Sequence, residues 1–90
     1  RVLADQLAQK QKELTALTAT HDALDKNLRL AGEEARMYAA MAANGAGSRV
    51  MVLTSERNVN QLRGQLDEAS SGQRRAQDGI REIHSRMQSL

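Results

Sequence analysis

Five residues at the midpoint of the chain, Asn44-Gly45-Ala46-Gly47-Ser48, decide how its 90 residues fold. Glycine readily takes the left-handed conformation that ends a helix, so Gly45 is a candidate C-cap for a preceding helix. Ser48 is a candidate N-cap, because its hydroxyl can accept a hydrogen bond from a backbone N–H in the first turn of a following helix. The stretch therefore predicts a helix end, a turn and a helix start.

The composition on both sides of this turn is typical of long helices. Pro, Cys, Phe and Trp are absent, Tyr occurs once, and the mean hydropathy is -0.61. Without large aromatic side chains the chain cannot fill a thick core, but it can form a thin seam between helices. Ninety residues make one small domain at most, so residues 1–90 are interpreted as a single coiled-coil segment. The absence of Cys excludes disulfides and fits an intracellular compartment.

Both halves of the chain carry a heptad repeat, abcdefg, in which the seam positions a and d are mostly apolar. With Leu7 at position a, only Lys10 and His21 interrupt the seam of the first half. With Val59 at position a, the second half has a similarly apolar seam. Repeats sustained over this length predict coiled-coil packing. The residues expected to form the seam are Leu7, Leu14, Leu17, Leu24, Leu28, Tyr38, Val59, Leu62, Leu66, Ile80, Ile83 and Met87.

The fold that these patterns favour is all-α, an antiparallel helical hairpin. The second helix begins just after Ser48, or near Ser55 if the β-branched run Val50–Leu53 is extended instead. Two hairpins are expected to pair as a four-helix dimer, because one hairpin has only one seam. The expected arms are 1–43 and 54–90, joined by a loop or tip at 44–53, with helices near 2–43 and near 49–89 or 55–89.

Two pairing registers of the hairpin fit the heptads. In the first register Leu28 faces Ala69, and Glu13 lies near Arg86. In the second, shifted by one heptad, Leu28 faces Leu62. Both oppose a positions to d positions, so periodicity does not choose between them.

A continuous helix that pairs in parallel with a second chain is the alternative fold. The seam can pass through residues 45–48 with a three-residue insertion, a stammer. Such a helix carries Asn44, Gly45 and Gly47 in its interior, at a cost of about 2–3 kcal/mol per strand. Parallel pairing also stacks Lys10 and His21 on the same residues of the second chain. Both costs favour the hairpin.

No group of residues has the spacing of a catalytic, metal or cofactor site. His21 and His84 are the only imidazoles, and neither has a partner at zinc-ligand spacing. Glu33 and Glu34 point about 100° apart on a helix and do not share a site. Gly45–Ser48 lacks the Lys-Ser/Thr ending of a phosphate loop. We therefore predict that the chain is not an enzyme and binds no cofactor.

The function that these features favour is a structural or oligomerisation module of a scaffold or cytoskeletal-type protein. We expect the chain to form a homodimer and to belong to a longer protein, because the heptads reach both ends of the sequence. No apolar run approaches the ~20 residues of a membrane-spanning helix, which predicts no integral membrane segment.

Two further kinds of contact are alternative functions of the chain. Residues Met37 to Leu53 include one charge, Arg49, and such a tip could contact a protein partner or a membrane surface. All seven basic residues of 44–90 are arginines, and six of them lie in the second arm, so this arm could instead bind an acidic polymer such as a microtubule or nucleic acid. The candidate contact residues are Arg49, Val50, Met51, Val52, Leu53, Arg74 and Arg75.

Overall fold

The computed structural model describes all 90 residues and contains two α-helices, α1 (Val2–Ala43) and α2 (Arg49–Gln88). The predicted antiparallel hairpin is confirmed, and the continuous helix is wrong because residues 44–48 interrupt it. The second helix begins at the earlier of its two expected positions. The run Val50–Leu53 is therefore helical, and the turn is shorter than the tip expected at 44–53.

The end of α1 is closed by two backbone hydrogen bonds that define a Schellman motif. Gly45 has a φ of +73°, the left-handed conformation that the sequence predicts for it. Its N–H donates to the Ala42 carbonyl at 3.0 Å, and the Ala46 N–H donates to the Met41 carbonyl at 2.9 Å. These bonds satisfy carbonyl groups that a helix end would otherwise leave unpaired.

The start of α2 is capped as predicted. The Val50 backbone N–H donates to the Ser48 hydroxyl oxygen at 3.1 Å, and the Val52 N–H donates to the Ser48 carbonyl at 3.2 Å. Gly47 lies directly against the end of α1, where a β-carbon would be 2.8 Å from the backbone nitrogen of Ala42. The turn therefore needs glycine at this position for space, because backbone atoms cannot move aside cheaply.

The less exposed residues of both helices follow the heptad seam. Every a and d position of α1 from Leu3 to Ala42 is buried or half-buried, Lys10 and His21 included. The same holds in α2 from Val52 to Ile83. A 3.5-residue repeat of this kind keeps one side of each helix facing a neighbour.

One compact unit of the chain comprises residues 1–21 and 68–90. In it the methyl groups of Leu17 cover Gly72, and a β-carbon placed on that glycine would be 3.2 Å from Leu17 Cδ2. The missing side chain forms a hole that the leucine fills, the packing that a seam requires. The buried apolar residues of this unit are Ala69, Ala76 and Ile83.

Contacts in this unit also identify the pairing register. The Gln73 side-chain amide donates to the Thr18 hydroxyl at 3.1 Å, and the aliphatic stem of Lys10 lies against Gly79. These pairs belong to the second of the two registers that the heptads allow. The first register is wrong, and its expected Glu13–Arg86 contact is replaced by bonds within each helix.

The other compact unit comprises residues 22–67 and includes the turn. Its buried residues are Ala31 and Ser55. The Ser55 hydroxyl is satisfied by donating to the Val52 carbonyl at 2.8 Å, so this polar seam position leaves no unpaired buried group. Leu28 lines a groove with Val59 and Arg63, as the second register requires.

Candidate functional site

The acidic and imidazole side chains are spread along both helices. No group of three or more His, Cys, Asp or Glu residues could hold a metal ion. Neither helix has a stretch that is long and apolar enough to cross a bilayer. His21 is half-buried at its seam position, and His84 is exposed.

The seven arginines of α2 are exposed, and three of them are bonded to their own helix. Arg81 forms an ion pair with Asp78 at 2.8 Å, and Arg86 forms one with Glu82 at 2.8 Å. Arg74 donates to the Ser71 hydroxyl at 3.1 Å. Exposed pairs of this kind contribute only a few tenths of a kcal/mol, and they offset part of the positive charge of the arm.

The contact residues predicted from the sequence fall into the two different units. Arg74 and Arg75 are exposed in the unit formed by 1–21 and 68–90, whereas residues 49–53 form the first turn of α2 in the unit 22–67. Val52 is half-buried at a seam position, unlike its neighbours. It is therefore better described as a packing residue than as part of an outward surface.

Most of the large exposed apolar side chains lie in the compact unit that includes the turn. Nine large hydrophobic residues of the chain are exposed, and six of them belong to the unit 22–67. Only Arg49 is charged between Met37 and Leu53, the stretch that holds five of the six residues, whereas Leu30 is separated from it by Glu33, Glu34 and Arg36. Large apolar side chains that remain exposed are common at contact sites. The six residues, called here the apolar surface, are Leu30, Met37, Met41, Val50, Met51 and Leu53.

Leu30, a member of the apolar surface, escaped the sequence analysis, and Met37 was included only as the end of the tip. Leu30 is 54% exposed and Met37 is 64% exposed, and both lie on α1 away from its seam. A signal for them was present, because Ala23, Leu30 and Met37 are separated by seven residues each. A heptad search that stops after one seam does not detect a second stripe with the same period.

Comparison with known proteins shows which family the chain resembles. Residues 1–90, the whole of the chain, match the family model described as AprE, long alpha-helical hairpin. No curated protein and no solved structure gives a significant match. The family description agrees with the two helices and the turn described above.

Proposed function

Because the chain belongs to the family of AprE long alpha-helical hairpins, we propose that it is a structural module that assembles with other helices. In this role it acts as a scaffold: the seam between α1 and α2 maintains the hairpin, and the apolar surface makes the contacts that build the assembly. The module acts by helix packing and carries out no chemical reaction.

The observation that carries this proposal is the contrast between the seam and the apolar surface. The buried residues of the chain are mostly small, while Leu30, Met37 and Val50 are all more than half exposed. Burying a large apolar side chain contributes about 1.5–3 kcal/mol, so six such residues represent a substantial unused driving force for association. Packing of another helix against these side chains would bury them and gain this free energy.

A sedimentation experiment tests the proposal. The wild-type chain is expected to sediment as an oligomer, and a variant with all six residues of the apolar surface replaced by Ser is expected to sediment as a monomer. Circular dichroism should show the same helix content for both, because the replaced side chains lie outside the seam. A wild-type chain that stays monomeric at every concentration would contradict the proposal.

The control for this experiment changes polar residues of the same unit. Replacing six exposed polar side chains by Ser alters the surface to a similar extent without removing apolar area, so the oligomer should persist. Loss of the oligomer in this control would show that the apolar surface is not specifically required. The six control positions are Asn27, Arg36, Arg57, Asn58, Asn60 and Gln61.

A second candidate function is binding of an acidic polymer by the exposed Arg74 and Arg75. Each guanidinium can bind a phosphate or carboxylate group, and a polymer presents many such groups, so the two side chains need not share one site. Such binding to nucleic acid or microtubules should weaken steeply as salt is raised, and it should be reduced by replacing both arginines with Gln. Binding that is independent of salt would exclude this function.

A further inference from the structure

The turn holds an asparagine that is followed by glycine, and this pair has a chemistry of its own. The covalent structure keeps the Gly45 backbone nitrogen close to Cγ, the carbonyl carbon of the Asn44 side chain. Glycine has no β-carbon, so little hinders the approach of this nitrogen to Cγ. Asn44 is exposed, so water reaches its amide. The other asparagines, Asn27, Asn58 and Asn60, precede leucine, valine and glutamine.

We propose that Asn44 is a site of spontaneous deamidation, with the Gly45 nitrogen as the nucleophile. This nitrogen loses its proton and bonds to Cγ, and the side-chain nitrogen of Asn44 leaves as ammonia. Water then opens the resulting succinimide ring. Opening at Cγ gives aspartate, whereas opening at the main-chain carbonyl carbon gives isoaspartate, whose backbone runs through Cβ and Cγ. The reaction consumes water, releases ammonia and involves no oxidation or reduction, and it does not depend on the assembly function proposed above.

The place of Asn44 at the end of α1 is what permits ring closure. The Gly45 nitrogen can approach Cγ only if the backbone rotates about the Cα–C bond of Asn44. That rotation breaks the bond from the Gly45 N–H to the Ala42 carbonyl at 3.0 Å and the bond from the Ala46 N–H to the Met41 carbonyl at 2.9 Å. Helix ends open at little cost in free energy, because no further turn of helix holds them on the outer side. The nucleophile is thus released often enough to react.

The other asparagines are held by helix on both sides. Asn27 lies inside α1, and Asn58 and Asn60 lie inside α2. All of them are as solvent-exposed as Asn44 by class, so exposure does not distinguish the sites. Rotation of the backbone at these positions requires opening of a helix interior, which costs more than fraying of an end. We therefore expect deamidation to be selective for Asn44.

Isoaspartate at this position would disrupt the cap of α1. It adds one carbon atom to the backbone between the Asn44 Cα and the Gly45 nitrogen. The N–H groups of Gly45 and Ala46 then no longer fit the carbonyls of Ala42 and Met41, which lose their partners. The isoaspartate chain is therefore expected to have a lower Tm than the unmodified chain.

The first test follows the four asparagines by mass spectrometry. The whole chain is incubated in mildly alkaline buffer, which favours loss of the proton from the Gly45 nitrogen, and is then digested after Arg and Lys. The Asn44 amide is expected to be lost at least about tenfold faster than those of Asn27, Asn58 and Asn60. Electron-transfer fragmentation should find both aspartate and isoaspartate at position 44. Equal rates at all four asparagines would overturn the proposal.

A matched control separates the helix end from the Asn-Gly pair itself. Arg63→Asn places an asparagine before Gly64 in the interior of α2. Arg63 and Gly64 are exposed, and a β-carbon at Gly64 would meet nothing within 4 Å, so this glycine is also unhindered. The introduced asparagine is expected to react at least about tenfold more slowly than Asn44 in the folded chain, and at an equal rate in concentrated urea. Equal rates in the folded chain, or a difference that persists in urea, would overturn the role of the helix end.

The last test measures what the product does to the hairpin. The deamidated chains carry an additional negative charge, so ion exchange separates them from the unmodified chain. The isoaspartate form is expected to have a lower Tm than Asn44→Asp, which carries the same charge on a normal backbone. Equal Tm values for these two chains would overturn the predicted loss of the cap.

Discussion

At the scale of single residues, the glycines inside α2 have different roles that depend on which side chain packs against each of them. A β-carbon at Gly64 would meet nothing within 4 Å, whereas at Gly72 it would be 3.2 Å from a methyl group of Leu17. Both glycines weaken the helix by about 1 kcal/mol relative to Ala. Only Gly72 offsets this cost, by providing the space into which Leu17 packs.

This difference predicts unequal gains in stability when the two glycines are each replaced by alanine. Gly64→Ala should raise the free energy of unfolding by about 1 kcal/mol, because it adds helix propensity and meets no neighbour. Gly72→Ala should raise it by less, because Leu17 must shift, and Gly72→Val should lower it through overpacking by about 1–3 kcal/mol. Thermal or urea unfolding followed by circular dichroism measures all three. Equal gains from the two alanine variants would show that Leu17 does not pack tightly on Gly72.

At the scale of the elements, the start of α2 depends on a single side chain. The hydroxyl of Ser48 accepts the hydrogen bond from the Val50 N–H and is the side-chain cap of this helix. No acidic residue lies in the first turn of α2 to interact with the N-terminal end of its dipole. The cap therefore has no electrostatic support nearby.

The cap can be removed or strengthened by one substitution. Ser48→Ala should lower the free energy of unfolding by about 1 kcal/mol, because it leaves the Val50 N–H without its partner. Ser48→Asp retains an acceptor and adds a favourable charge at the helix N-terminus, so it should be neutral or stabilising. Chemical unfolding checks both. If Ser48→Ala and Ser48→Asp behaved alike, the hydrogen bond would not contribute to stability.

At the scale of the whole molecule, the hairpin brings the two ends of the sequence together. Residues 1–21 and 68–90 form one compact unit, although more than forty residues separate them along the chain. Their contact exists only because residues 44–48 reverse the direction of the backbone. A change that straightened the turn would separate the two segments completely.

A distance measurement between labels tests this reversal directly. Spin labels on cysteines at Leu3 and Met87 are expected to lie close together in the wild-type background. A continuous helix, with a rise of about 1.5 Å per residue, would place them more than about 100 Å apart. Samples diluted with unlabelled chain distinguish contacts within one chain from contacts between copies. A long distance in the diluted sample would contradict the hairpin.

Sequence alone determined the two helices, their caps and the side of each helix that forms the seam. These features depend on local chemistry. They are the freedom of Gly45 to adopt a positive φ, the hydrogen-bond acceptor on Ser48, and a heptad repeat that is present in the sequence whatever the helix packs against. The second stripe around Leu30 was equally available in the sequence. It depends on the same period and was hidden only by the stronger seam.

Only the tertiary structure decided the register. A shift of one heptad leaves apolar positions facing apolar positions, so the pattern of hydrophobic residues has nearly the same energy in both registers. The choice depends on shape at individual contacts, such as Leu17 on Gly72 and the bond from Gln73 to Thr18. Shape complementarity involves residues far apart in the chain, and it exists only once the turn has brought them together.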